Sequence, residues 1–245
     1  MSVDATFGDP VHYPKRRDLF SFDDEVASIF DNMAPRSIPM YLEVHRLHVS
    51  LFEHVFREGA VIADIGSSTG HLFRSIEKSF GHSIPDMGMK AVALDVSQPM
   101  MDRLASEFPY VTGLVGDITN MPDLDEPTDI MFCLYTLQFI SPEGKVKAME
   151  WLVRNLKVGG VLILGQKEVI RNVALRELFD EEYYKFRRDN GYTQAEIDAK
   201  TAALRNSMWP IEHEVLTAML NLHHMDCVET SRWLQFSTVA CIRRK

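Results

Sequence analysis

The spacing of apolar residues changes period along this chain. Between residues 22 and 30, Phe22, Val26, Ile29 and Phe30 recur at helical spacing, with Asp23, Asp24 and Glu25 where a helix amino end favours negative charge. Pro35 and Pro39 predict a break. A second helix follows over about 40–56, with Met40, Val44, Leu47, Leu51 and Val55 on one face and Gly59 as its stop. From residue 60 short apolar runs alternate with amphipathic ones. They predict strands over 60–65, 90–95, 111–115, 129–134 and 161–164, and helices over 72–80, 100–107 and 143–156, the last stopped by Gly159-Gly160. Such alternation is the pattern of an α/β fold, a mostly parallel sheet with helices on both faces. Residues 173–222 read as mostly helical, with Thr193 and Glu196 forming a capping box. The tail, 226–242, reads as two closing strands broken near Gln235 to Ser237.

This organisation predicts an amino-terminal arm and helical lid over 1–56, and a main domain over 57–245 carrying a helical insertion at about 173–222. The first 20 residues are polar and include the basic run Lys15-Arg16-Arg17. With 245 residues, 46% of them hydrophobic, the chain has ample material for one core. A net charge of -9 weighs against broad nucleic-acid binding, and Lys185-Phe186-Arg187-Arg188 reads as a solvated basic face. No apolar run approaches the roughly 18 residues of a membrane span. Cys133, Cys227 and Cys241 form no CxxC pair and no signal peptide is evident. The simplest expectation is buried, reduced thiols in a cytoplasmic protein. His45 and His48, three apart on the second helix, read as packed or solvated. His223 and His224 lack a third ligand at sensible spacing, so no metal site is expected.

The chemistry centres on Asp64-Ile65-Gly66-Ser67-Ser68-Thr69-Gly70, between the first strand and its helix. Gly66 permits a tight turn, and Gly70 with the helix after it offers free backbone N–H groups at the carboxyl edge of the sheet. No Gly-Lys-Ser/Thr follows, which excludes a P-loop, and the G-x-G-x-x-G dinucleotide fingerprint is absent. Asp95, with Val96 beside it, ends the second strand, where a carboxylate can accept both hydroxyls of a ribose. Asp117-Ile118 follows the third strand, where a carboxylate and a backbone N–H can meet an adenine. This ordered set resembles the S-adenosylmethionine (SAM) site of class I methyltransferases, and with it comes the expectation of their Rossmann-like fold and of SAM, or S-adenosylhomocysteine (SAH) as bound product. The long Asp64 to Asp95 spacing implies an insertion around 81–88.

Beyond the loop the chain resembles the carboxy-SAM synthase family, through Phe22-Asp23-Asp24-Glu25-Val26-Ala27, Arg36-Ser37-Ile38-Pro39-Met40-Tyr41, Thr136-Leu137-Gln138-Phe139, Phe186-Arg187-Arg188-Asp189-Asn190-Gly191-Tyr192 and Trp233-Leu234-Gln235-Phe236. That family makes carboxylated SAM from SAM and prephenate for modification of wobble uridine in tRNA, and it is dimeric. The resemblance implies that Tyr41, Gly66, Ser67, Ser68, Asp95, Asp117 and Ile118 contact the cofactor, although the family usually has cysteine at Ser67. Two positions depart. Leu134 stands where the family has asparagine. Thr201 stands where it has the arginine that contacts the product carboxylate, and a threonine hydroxyl is a poor substitute for a bidentate guanidinium. Arg205, one helical turn on, is the substrate-side alternative. The expectation is therefore a SAM-binding enzyme with altered chemistry, most simply a methyltransferase acting on a small molecule or nucleoside, with Tyr41, Tyr135 and His71 as candidate acceptor-side groups. An authentic carboxy-SAM synthase and a non-catalytic SAM-binding interaction protein are the alternatives. A homodimer and no membrane partner complete the reading.

Overall fold

A computed structural model describes residues 22–205 and 207–245; the polar arm and its Lys15-Arg16-Arg17 run lie outside them. Two helices, α1 (Asp24–Ser37) and α2 (Tyr41–Leu51), precede the sheet. The core then alternates as β1 (Val61–Ile65), α3 (His71–Phe80), β2 (Lys90–Asp95), α4 (Gln98–Glu107), β3 (Thr112–Val115), β4 (Thr128–Leu134), α5 (Pro142–Arg154) and β5 (Leu156–Lys167). The helical insertion is α6 (Val173–Asp189), α7 (Gln194–Leu204) and α8 (His213–Leu222), and β6 (Met225–Trp233) and β7 (Phe236–Arg243) close the chain.

The seven strands lie in the order β3-β2-β1-β4-β5-β7-β6. All neighbours are parallel up to β5, and β7 runs antiparallel to both β5 and β6. Each central strand buries both faces, as its unbroken apolar run requires. Alternate residues serve opposite layers. Ile62, Ala91, Ile130 and Ile163 pack with Val44, Leu72, Phe73 and Leu104 of α2, α3 and α4, whereas Ala63, Leu94, Met131 and Leu162 pack with Trp151, Leu152, Leu216 and Leu220 of α5 and α8. The order reverses between β1 and β4, and it is outside the carboxyl ends of strands at such a reversal that open α/β sheets bind ligands.

Four expectations change. The first helix runs through Pro35 to Ser37. Proline removes one bond, to the Asp31 carbonyl, and Asp31 is exposed, so water can serve that carbonyl instead. The second helix turns a different face inward: Tyr41, Val44, His45, His48 and Val49 are buried, and Met40, Leu47 and Leu51 face outward. His45 and His48 can be buried because each engages its own helix through Nδ1, at 2.8 Å from the Tyr41 carbonyl and 2.7 Å from that of Val44. The fifth strand starts at Leu156, so Gly159-Gly160 lie within it and α5 has already ended. Finally, Cys227 and Cys241 are joined in a disulfide, while Cys133 is free and buried. The antiparallel register of β6 and β7 sets the two cysteines directly opposite each other, which a spacing of 14 residues does not announce.

At the far edge Glu168, 4% exposed, ties three elements together. It accepts hydrogen bonds from His213 Nδ1 (2.9 Å), Arg232 Nη1 (2.7 Å) and Ser237 Oγ. Burial works to raise its carboxyl, yet the bonds from Arg232, Ser237 and His213 together hold it below the ordinary glutamate value of 4.5. A carboxyl lowered in this way stabilises the fold above that value and loses its contribution as pH falls through the folded pKa. Glu168→Gln is expected to cost about 1–3 kcal/mol at neutral pH. In urea titrations the gap between the two proteins narrows as pH is taken well below the carboxylate range.

Candidate functional site

Where β1 ends, the chain turns through Gly66 (φ +73°), Ser68 (φ +51°) and Gly70 (φ +88°). A Cβ at Gly66 would sit 2.1 Å from Thr136 Oγ1, and one at Gly70 would meet the Phe108 ring at 2.8 Å. Glycine therefore gives both the left-handed backbone and the space there. The Gly66 and Ser67 amides donate to the Leu94 carbonyl at 2.7 and 3.1 Å. Asp95 clamps the loop from β2, its two carboxylate oxygens accepting the Ser68 and Ser97 amides, each at 2.9 Å.

The turn opens on a cavity of about 730 Å³. Asp95, Val96, Asp117 and Ile118 line one arm, and Gly66, Ser68, Leu134, Tyr135 and Thr136 line the middle. Tyr41, Thr201 and Arg205 line the other arm, together with residues that the sequence reading did not select: Ser37, Lys167, Tyr183, Arg187 and Lys200. Asp64, Ser67, Gly70 and His71 do not reach the cavity wall. Ser67 is buried, with its hydroxyl on Met101 Sδ, and His71 packs against Tyr41 and His45 at ring distances of 5.2 and 4.8 Å.

Charge divides the cavity. Behind the glycine turn, burial first and then the neighbouring Asp95 raise the Asp64 carboxyl to about 8. Burial also raises Asp95 itself, against the pull of the backbone amides of Ser97, Ser68 and Val96. Of the two, Asp95 stands on the cavity wall and Asp64 lies behind it. Burial raises the phenols of Tyr41 and Tyr135 well above the ordinary tyrosine value, so neither can serve as a base near neutrality. Tyr135 holds φ +59°, a conformation costly for a bulky side chain and concentrated at functional sites.

The opposite arm is basic. Burial, then Arg187 and Arg36, push the Lys200 ammonium down to about 7. Burial also lowers Lys167. Lys200 Nζ donates to Ser37 Oγ at 2.8 Å, Ser37 Oγ lies 2.7 Å from the Tyr192 hydroxyl, and Tyr183 donates to the Ser37 carbonyl at 2.9 Å. Thr201 offers nothing here, because its hydroxyl donates back to the Ile197 carbonyl at 2.7 Å. Arg205 lies at the exposed carboxyl end of α7. The basic run at 185–188 is not wholly a solvated face: Arg187 is 2% exposed. A helical signal for this existed, since Arg187 continues at i+4 the face of Phe179 and Tyr183, both partly buried.

Residues 62–160 match the family model of a methyltransferase domain. In the fold comparison, the chain superposes on a putative SAM-dependent methyltransferase from Methanococcus maripaludis with TM-score 0.58 at 16% identity, covering 95% of this chain and 98% of that one. A magnesium protoporphyrin IX methyltransferase from Synechocystis, solved with SAH, gives TM-score 0.57 at 11% identity over 88% of this chain and 94% of that one. Sequence relatives are closer. A carboxy-S-adenosyl-L-methionine synthase from Wolinella succinogenes is 32% identical over 89% of this chain and 91% of its own. Another, from Desulfotalea psychrophila, is 31% identical over 91% of this chain and 92% of its own. The alignment thus extends well beyond the shared domain at 62–160, and the chain belongs to the carboxy-S-adenosyl-L-methionine synthase family, SAM-dependent transferases built on the class I methyltransferase fold.

Proposed function

We propose that this chain transfers the methyl group of SAM to a small molecule or nucleoside, rather than making carboxylated SAM. In this reading Asp117 and Ile118 meet the adenine, Asp95 and Val96 the ribose, and Gly66 and Ser68 the amino-acid portion. Asp64, Ser67 and Gly70 shape the loop from behind. The cradle fits such a group: a Cβ-free turn at Gly66, a carboxylate at the end of β2, and acidic neighbours raised as a cationic sulfonium and ammonium would relieve. Bound SAM supplies an electrophilic methyl, so the protein's main task is to align an acceptor with it. Tyr41 and Tyr135, which stay protonated, act as walls and hydrogen-bond donors, and α1 and α2 serve as a lid through Ser37 and Tyr41.

The observation that carries this reading is the wall itself. Leu134 presents an apolar surface, and the Thr201 hydroxyl is turned to the Ile197 carbonyl, so neither position offers the charge-assisted partner that a carboxylate on the cofactor needs. The second reading, an authentic carboxy-SAM synthase serving wobble-uridine modification in tRNA, draws support from Arg205 on the cavity lining. A cytoplasmic homodimer accompanies either reading.

Mass spectrometry after incubation with SAM and prephenate separates the two. We expect no carboxy-SAM from the natural protein and its appearance in the Thr201→Arg, Leu134→Asn double variant; carboxy-SAM made by the natural protein overturns the methyltransferase reading. The glycine turn is tested by Gly66→Ala, which forces a methyl into Thr136 at a positive φ. Calorimetry should show SAM affinity lowered at least about tenfold, or ~1.4 kcal/mol.

A further inference from the structure

We propose that Asp31 and Arg74 are positioning residues for the cofactor: with Thr69 they latch α1 onto the glycine turn, and the opening of this latch sets how fast SAM or SAH enters and leaves. The inference deepens the reading above and rests on SAM lying against Gly66 and Ser68.

Both the turn and α1 border the cofactor's space. Gly66 and Ser68 line the cavity from the turn, and Phe30, Met33, Ala34 and Ser37 line it from α1. Thr69, between Ser68 and Gly70 at their positive φ, is 2% exposed. Its hydroxyl donates to Asp31 Oδ1 at 2.5 Å, and its carbonyl accepts Arg74 Nη2 at 2.9 Å. Arg74 Nη1 closes the triangle by donating to the same Asp31 oxygen at 3.1 Å. Ser68 leans on the same helix, because its hydroxyl rests on Met100 Sδ at 3.4 Å and Met100 packs with Val26, Ala27 and Met33.

Within the triangle Asp31 is the member that can leave. Glu107 of α4 fixes the arginine, its two oxygens accepting Nε at 2.6 Å and Nη2 at 2.5 Å. Arg74 Cζ also stands 5.9 Å from the centre of the Phe108 ring, the ring that Gly70 must clear. The Asp31 side chain, by contrast, is 55% exposed, so water can replace its partners.

The helix is built to yield at this point. Its end is bonded through Ser37 to Tyr183 and Lys200, and the Phe22 carbonyl just before it accepts Ser97 Oγ at 2.5 Å. Between these ties, Pro35 lacks the amide that would bond the Asp31 carbonyl. A helix missing that bond bends there more readily than elsewhere. Release of Asp31 from Thr69 and Arg74 lets the middle of α1 lift from the turn while both ends stay tied, which widens the cavity beside Ser68. Such gating governs ligand exchange wherever a lid covers its ligand.

Surface plasmon resonance on the immobilised full chain, with SAH as analyte, reads both rates. We expect Asp31→Ala to raise association and dissociation together, each by about three- to tenfold, with Kd changing less than either. Asp31→Asn keeps an oxygen for the Thr69 hydroxyl but no charge for Arg74, and should fall between the natural protein and the alanine variant. Thr69→Val, which removes the hydroxyl and keeps the side chain's shape, should act in the direction of Asp31→Ala. Because the ion pair is exposed, sodium chloride at about 1 M, which screens charges beyond about 3 Å, should speed both rates in the natural protein and not in Asp31→Ala. Unchanged rates in Asp31→Ala overturn the proposal. So does a rise in dissociation alone, which would make the network a support of the folded loop and not a gate, and so does an equal salt response in the natural protein and the alanine variant. Failure of the natural protein to bind SAH at all overturns it by a different route, by removing the reading that places SAM at the turn.

Discussion

The whole arrangement turns on the close approach of β1 and β4 where the strand order reverses. Gly66 must pass Thr136 with no side chain between them, and Thr136 Oγ1 closes the gap by donating to the Ile65 carbonyl at 3.0 Å. This contact sets how far the loop can lean over the end of the sheet. It therefore sets where Asp95 can reach the Ser68 amide and where the chain after β4 must bend. The left-handed turn at Tyr135 is the other side of the same constraint, held by the Tyr135 amide on the Gly165 carbonyl at 2.6 Å.

From that crossing the cavity extends in two electrostatic directions. On one side Asp95, the last residue of β2, and Asp117, just beyond β3, line it, with Asp64 behind the glycine turn. The insertion brings cations together, because α6 and α7 carry Arg187 and Lys200 against the end of β5, where Lys167 stands. Both clusters cost desolvation energy and both are self-repelling. Leu134 and Phe236 line the cavity between them.

The strands and the cofactor loop were legible from sequence because their signals are local. An apolar run ending in a glycine turn needs no knowledge of distant contacts, and β2 lies at the predicted 90–95. What misled was burial decided by partners far along the chain. His45 and His48 look polar in sequence but spend one ring nitrogen each on their own helix and then pack as core, which rotates α2 and sends Leu47 and Leu51 outward. Arg187 looks like part of a solvated basic run until Tyr183 and Tyr192 enclose it. The Cys227–Cys241 bond depends on hairpin register, which periodicity alone does not give. Asp95, Asp117 and Gly66, singled out by motif order, line the one cavity, whereas Lys167 and Lys200 carry no motif and are joined to it only by the fold.

Ser37 has a mechanical consequence. It is the last residue of α1, yet it is bonded to Tyr183 on α6, to Tyr192 in the following turn and to Lys200 on α7. Arg36 adds a bond to the Asn190 carbonyl at 2.7 Å. Segments some 150 residues apart are thereby stitched into a single jaw. The end of α1 cannot swing as an independent flap without first breaking these bonds. Any movement of the end of α1 that keeps these bonds must carry α6 and α7 with it, so the three helices form one mechanical unit rather than separate flaps.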